Sequence, residues 1–143
     1  MPWLIDGSNL LGAMRVDRIA EESKRGLVRL LASFARAKKT RVTCVFDGPE
    51  PPSFARVLGG LTVVFGNGRP ADDIIAERAA QGRGWSVVTN DRGLGERIAR
   101  SQVEIVAATP FIRQMEEAAA SGEETVEEDW TNYFSDPKNR LDF

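Results

Sequence analysis

The sequence predicts an α/β fold in one domain, a three-layer sandwich with helices on both faces of a mainly parallel five-stranded sheet. Two observations carry that expectation. Apolar runs of strand length alternate with longer segments of helical periodicity, and the connections between them are short. An aspartate or a turn residue closes almost every strand, which suits an architecture whose strand ends all open onto one edge.

Trp3-Leu4-Ile5 is a short apolar strand that runs into Asp6-Gly7-Ser8-Asn9, a turn sequence. Residues 18–39 read as a helix. Leu27, Leu30, Leu31 and Phe34 recur at i, i+3, i+4 and i+7, with Lys24, Arg25, Arg29 and Arg36 on the remaining faces. Residues 41–46 form a buried strand stopped by Asp47-Gly48-Pro49, and Glu50-Pro51-Pro52 is a loop. Residues 61–65 form a third strand ended by Gly66-Asn67-Gly68, with a helix over 71–81. A fourth strand covers 85–89, a helix 91–100, a fifth strand 103–106 and a last helix 109–120. The domain is expected over residues 1–120, with 121–143 as an acidic tail. Within that tail Val126, Trp130, Tyr133 and Phe134 fall at helical spacing, which predicts a short helix docked on the domain.

Composition removes several classes of function. No apolar run approaches the ~20 residues that span a bilayer. The opening Met-Pro-Trp-Leu-Ile-Asp has no basic or apolar region of a secretory signal, so a cytoplasmic protein without a membrane partner is expected. The single cysteine, Cys44, lies in an apolar stretch and reads as core, which leaves no intramolecular disulfide and no cysteine-based zinc site. There is no histidine at all. Imidazole-dependent triads, histidine-pair ribonuclease chemistry and histidine-ligated zinc are thereby excluded. Hydrolysis on this chain would have to run on carboxylates, whose natural cations are Mg²⁺ or Mn²⁺.

Charge is unevenly spread. Residues 1–115 carry 17 Lys and Arg against 12 Asp and Glu, whereas residues 116–143 carry 2 against 9. A basic body around an acidic pocket suits a polyanionic substrate once a cation fills the pocket. Asp6 follows the first strand, Asp47 the second and Asn90-Asp91 the fourth, while Asp72 and Asp73 open the helix after the third. In a parallel sheet all five aspartates then share the carboxyl edge, where α/β proteins bind ligands. Each alone has an ordinary role as a turn residue, helix cap or dipole complement. Crowded carboxylates, however, are costly without a cation among them. Two ions there could lower the pKa of a bound water, polarise a phosphate and stabilise the leaving oxygen. Asp6, Asp72, Asp73 and Asp91 are the expected ligands, with Asp47 as a further ligand or a supporting acceptor. Ser8, Asn9, Thr89 and Asn90 could orient carboxylates, water or phosphate oxygens. Arg69 and Arg92 flank the acids and are the favoured phosphate contacts among the nearby basic residues.

Four segments, Leu4-Ile-Asp-Gly-Ser-Asn9-Leu-Leu, Val45-Phe-Asp-Gly48, Ala71-Asp-Asp-Ile-Ile75 and Val87-Val-Thr-Asn-Asp91, resemble the successive motifs of the PIN-like nuclease superfamily. The match is nearest to its NYN-domain branch, the bacterial YacP-like proteins, and Glu127-Glu-Asp-Trp130 with Tyr133-Phe134 resembles that branch's closing segment. The resemblance implies a parallel sheet of central order 3-2-1-4-5 and a Mg²⁺- or Mn²⁺-dependent endonuclease acting usually on RNA. It implies catalytic roles for Asp6 with its companion Asn9, for Asp72 and Asp73, and for Asp91, and a less uniform role for Asp47. The expected function is a metal-dependent endoribonuclease with RNA as partner and a ribosome or other ribonucleoprotein as a further candidate. The alternative is a non-catalytic RNA-binding or ribosome-associated module that keeps the fold. A phosphorylated receiver-type domain is disfavoured, because none of Lys24, Lys38, Lys39 and Lys138 follows a strand where that chemistry needs it.

Overall fold

Strands rich in Val, Leu, Ile and Phe with both faces apolar are what a parallel sheet covered on two sides requires, and these runs pair accordingly. A computed structural model describes residues 2–52, 54, 56–82 and 84–121. In chain order the elements are β1 (Trp3–Asp6), α1 (Gly7–Ala13), α2 (Glu21–Lys38), β2 (Val42–Phe46), β3 (Val57–Leu58), β4 (Leu61–Phe65), α3 (Ala71–Gln81), β5 (Trp85–Val88), α4 (Arg92–Ile98), β6 (Val103–Val106) and α5 (Ala108–Ser121). Among the described residues the sheet has six strands in the order β3-β4-β2-β1-β5-β6. Five of them are parallel and reproduce the expected 3-2-1-4-5 arrangement. The sixth, β3, is a two-residue strand antiparallel to β4, absent from the sequence reading because two residues carry no periodicity.

Central β1 is paired on both sides, with Ile5 opposite Cys44 of β2 and Val88 of β5. Alternation sends Ile5, Cys44, Phe46 and Val88 to one face, under α1, α2 and α5, and Leu4, Val45 and Val87 to the other, under α3 and α4. On the first face Trp3, Phe34 and Phe111 join strand, α2 and α5, with ring centroids 5.0–5.4 Å apart. Cys44 lies fully buried there, as expected for a core residue. Among the described residues no helix is long and apolar enough to cross a membrane. The helix expected near Val126 to Phe134 falls outside the described residues.

Three local expectations are corrected. The segment after Asp6 is a helix, α1, rather than a plain turn, since Leu10 and Leu11 can both reach zero exposure only if the chain coils over the sheet. Helix α2 starts at Glu21 rather than near Arg18, because the Asp17 carboxylate accepts the N–H groups of Ile19 and Ala20 and holds a turn there. Lys24 is buried rather than on an outer face. It stands one turn before Leu27 and Val28 on the inward stripe, over the stacked rings of Phe46 and Phe65, with its ammonium 5.8 Å from each centroid.

Helix α1 can leave β1 so abruptly because Gly7 has no side chain. A Cβ there would lie 2.6 Å from Phe46 Cε1 and 2.8 Å from Cys44 Sγ, both in the closed core. Gly7→Ala is expected to lower the unfolding free energy by about 1–3 kcal/mol in urea titration. Stability equal to the wild type would mean that Phe46 can yield and that the close approach is incidental.

Candidate metal centre at the carboxyl edge of the sheet

Parallel pairing brings the carboxyl ends of β1, β2 and β5 side by side, and each delivers an acid. Asp6 ends β1 and is buried; Asp47 follows β2 and Asp91 follows the β5 strand, both exposed. The ordinary capping roles are present. Asp6 caps α1 by accepting the Asn9 N–H at 3.3 Å, and Asp91 caps α4 by accepting the Leu94 N–H at 3.2 Å. Asp47 accepts the Ala71 N–H at 2.7 Å and so ties the start of α3 to the end of β2.

Each of these bonds uses one carboxylate oxygen. The second oxygen of Asp6 accepts the Thr89 hydroxyl at 3.2 Å, and that hydroxyl in turn accepts the Asp91 N–H at 3.0 Å. Asn9 Oδ1 accepts the Asn90 N–H, and Asn90 Oδ1 accepts the Ala108 N–H at the head of α5, both at 2.8 Å. Ser8 Oγ accepts the Asp47 N–H at 3.2 Å. Ser8, Asn9, Thr89 and Asn90 thus link the loops that carry Asp6, Asp47 and Asp91 into one network.

Among the described residues no arginine or lysine forms an ion pair with Asp6, Asp47 or Asp91. Burial pushes the Asp6 carboxyl up to about 6 from its ordinary 3.8; the Asn9 and Thr89 hydrogen bonds pull it back in part, and the charges of Asp47 and Asp91 raise it further. The same Asp6 charge adds to the rise that burial imposes on the Cys44 thiol.

Asp72 and Asp73 lie in the first turn of α3 but are engaged elsewhere. Arg97 of α4 donates to Asp73 at 2.8 Å and stands 3.7 Å from Asp72. Arg69 is paired with Glu77, which raises the guanidinium's pKa and lowers the carboxylate's. Arg92, beside Asp91, is exposed and in no ion pair among the described residues. Arg97 was not singled out in the sequence, since its pairing with acids 24 and 25 positions away follows from how α3 and α4 pack. The burial of Lys24 was also missed, although its spacing from Leu27 and Leu31 belongs to the buried stripe and could have shown it.

The donor set fits a hard divalent cation by its chemistry: all oxygen, negatively charged around a buried member, and in no ion pair among the described residues. As the side chains stand, however, no three Asp, Glu, Cys or His groups among the described residues are close enough to hold one ion.

This fold is that of a nuclease-type NYN domain. The chain matches the family model of the YacP-like NYN domain across residues 3–142 and belongs to that family. It is similar in fold to the crystal structure of Rae1 (YacP) from Bacillus subtilis, with a TM-score of 0.71 and 21% identity over 94% of this chain and 82% of that one. The structure of the W164L mutant of the same protein aligns with a TM-score of 0.67 and 21% identity, over 91% and 89%. No curated protein sequence matches the chain.

A carboxyl that rises on folding binds its proton more tightly in the native state than in the unfolded chain. Stability is therefore lost as pH climbs from about 4 to about 6, by on the order of 3 kcal/mol for the shift of Asp6 from 3.8 to about 6. Asp6→Asn removes that penalty. In chelator the variant should melt above the wild type at pH 7 to 8 and together with it near pH 3. Coincident melting curves at pH 7 would show that the Asp6 charge is not strained.

Proposed function

We propose that this protein is a divalent-cation-dependent endoribonuclease whose cation is held by Asp6, Asp47 and Asp91. The observation that supports this most is the placement of three carboxylates at the ends of three adjacent strands, one of them buried and pushed up to about 6, with no basic side chain among the described residues in an ion pair with them. A group whose only work was capping would gain nothing from burial beside two like charges. Mg²⁺ or Mn²⁺, when bound, would polarise the scissile phosphate and lower the pKa of a coordinated water.

The chain's own residues would position and exclude. Thr89 fixes the second oxygen of Asp6 and the backbone of Asp91 together, and Ser8 and Asn9 hold the neighbouring loops in register. The histidine-free sequence offers no competing general base of ordinary pKa near 7. Exposed Arg92 could meet a substrate phosphate. A two-ion version that also uses Asp72 and Asp73 requires both to part from Arg97. RNA is favoured over DNA by the family's usual substrate. A ribosome or other ribonucleoprotein as the bearer of that RNA, and a docked acidic tail over 121–143, belong to the same proposal.

Calorimetry with Mn²⁺ on the wild type and on Asp6→Asn/Asp91→Asn, beside incubation with an end-labelled single-stranded RNA with and without chelator, tests the reading. Wild-type binding and cleavage should both disappear in the variant and the cleavage in chelator. RNA bound but never cut, with no Mn²⁺ taken up, would instead identify a non-catalytic RNA-binding module. Thr89→Val should weaken Mn²⁺ by about 10–100-fold, as loss of a ligand-orienting partner does; an unchanged affinity would remove Thr89 from the site.

A further inference from the structure

At the opposite, amino edge of the sheet the chain enters β2, β4 and β5 around a groove of about 780 Å³, lined among others by Lys39, Arg41, Thr43, Gly60, Thr62 and Trp85. Its walls are set by backbone. Lys39 ends α2 in the left-handed region (φ 52°, ψ 49°) and turns the chain into β2, and Val42 donates to the carbonyl of Gly60 at 2.9 Å. Helix α3 stops at Gln81, and Gly82 passes so near Trp85 that a Cβ there would lie 2.3 Å from the indole Nε1. The ring is thereby laid against the end of α3 and only half buried.

The chemistry of this groove is one-sided. Lys39 and Arg41 are exposed, and among the described residues neither forms an ion pair and no acidic side chain lines the groove. Paired cations beside hydroxyls and a half-exposed indole are the means by which proteins hold single-stranded nucleic acid, through phosphates and a stacked base. An acidic peptide would use the cations but not the ring. A strand of five residues at roughly 3.3 Å each separates this edge from the carboxyl edge by about 17 Å. That is too far to contact the same nucleotide, but within reach of a flanking stretch of the same chain.

We propose that the groove is an accessory RNA-binding site, which takes a single-stranded segment flanking the cleaved bond, with phosphates on Lys39 and Arg41 and a base against Trp85. It rests on the endoribonuclease reading and adds a length requirement to it: RNAs that reach both edges bind better than RNAs that fill only one.

The test compares the full-length wild type with Lys39→Gln/Arg41→Gln, binding labelled, cleavage-resistant phosphorothioate single-stranded RNAs of about 5 and about 20 nucleotides in Mn²⁺ across a salt series. For the longer RNA the variant should bind about tenfold more weakly, with a log–log salt slope shallower by about 1.4, the value for two lost phosphate contacts. Binding of the shorter RNA and of Mn²⁺ should stay unchanged, which also reports an intact fold. Quenching of tryptophan fluorescence by the longer RNA should fall in Trp85→Phe. Equal binding of the longer RNA by variant and wild type overturns the groove while leaving the carboxyl-edge reading in place. Polyglutamate displacing RNA from the wild type but not from the variant, at matched charge, overturns it in favour of an acidic peptide. A wild type that binds Mn²⁺ but neither RNA overturns both.

Discussion

Burying a carboxylate at the end of a central strand is unfavourable, and much of the carboxyl edge is organised around that cost. Asp6 sits between β2 and β5, with 6% of its surface exposed. Its charge is supported by the Asn9 N–H at the start of α1 and by the Thr89 hydroxyl beyond β5. Thr89 then receives the Asp91 N–H, and Asn9 receives the Asn90 N–H, so the two loops cannot shift independently. Asn90 continues the chain to the first residue of α5. Three helices therefore begin from contacts that trace back to one buried acid, and the hydrogen bonds only partly offset its desolvation.

Capping a helix and holding a cation are not competing explanations for these aspartates. A cap needs one oxygen, and a carboxylate has two. Asp6, Asp47 and Asp91 each spend one on a backbone N–H and are thereby fixed in direction. Fixing direction is also what a metal ligand requires. The contrast with Asp72 and Asp73 is instructive: they stand at the head of α3 as well, yet Arg97 pairs with them, so among the described residues the edge holds one acidic group without an ion pair and one compensated pair.

Most of the layer arrangement was legible from local pattern. Helix α3 and strands β4 and β6 fall on the expected residues, and the remaining long elements lie within a few residues of theirs. The errors came from short elements and from side-chain choice. Helix α1 is seven residues long, and its first three, Gly7-Ser8-Asn9, are turn formers by composition; burial of Leu10 and Leu11 overrode that propensity. Lys24 was read by its charge when its position in the repeat pointed inward, and long lysine stems can follow apolar surface with the ammonium over aromatic rings.

The sequence by itself determined that strands and helices would alternate, that the strands would run mainly parallel, and that Asp6, Asp47 and Asp91 would follow strands. These follow from hydrophobic periodicity and turn chemistry, which act between near neighbours along the chain. Tertiary packing alone decided which acids are tied to Arg97 and which form no ion pair among the described residues, and that Lys39, Arg41 and Trp85 line one groove. Those outcomes depend on strand order and helix packing, which join residues far apart in sequence through buried area and hydrogen-bond geometry that no local pattern encodes.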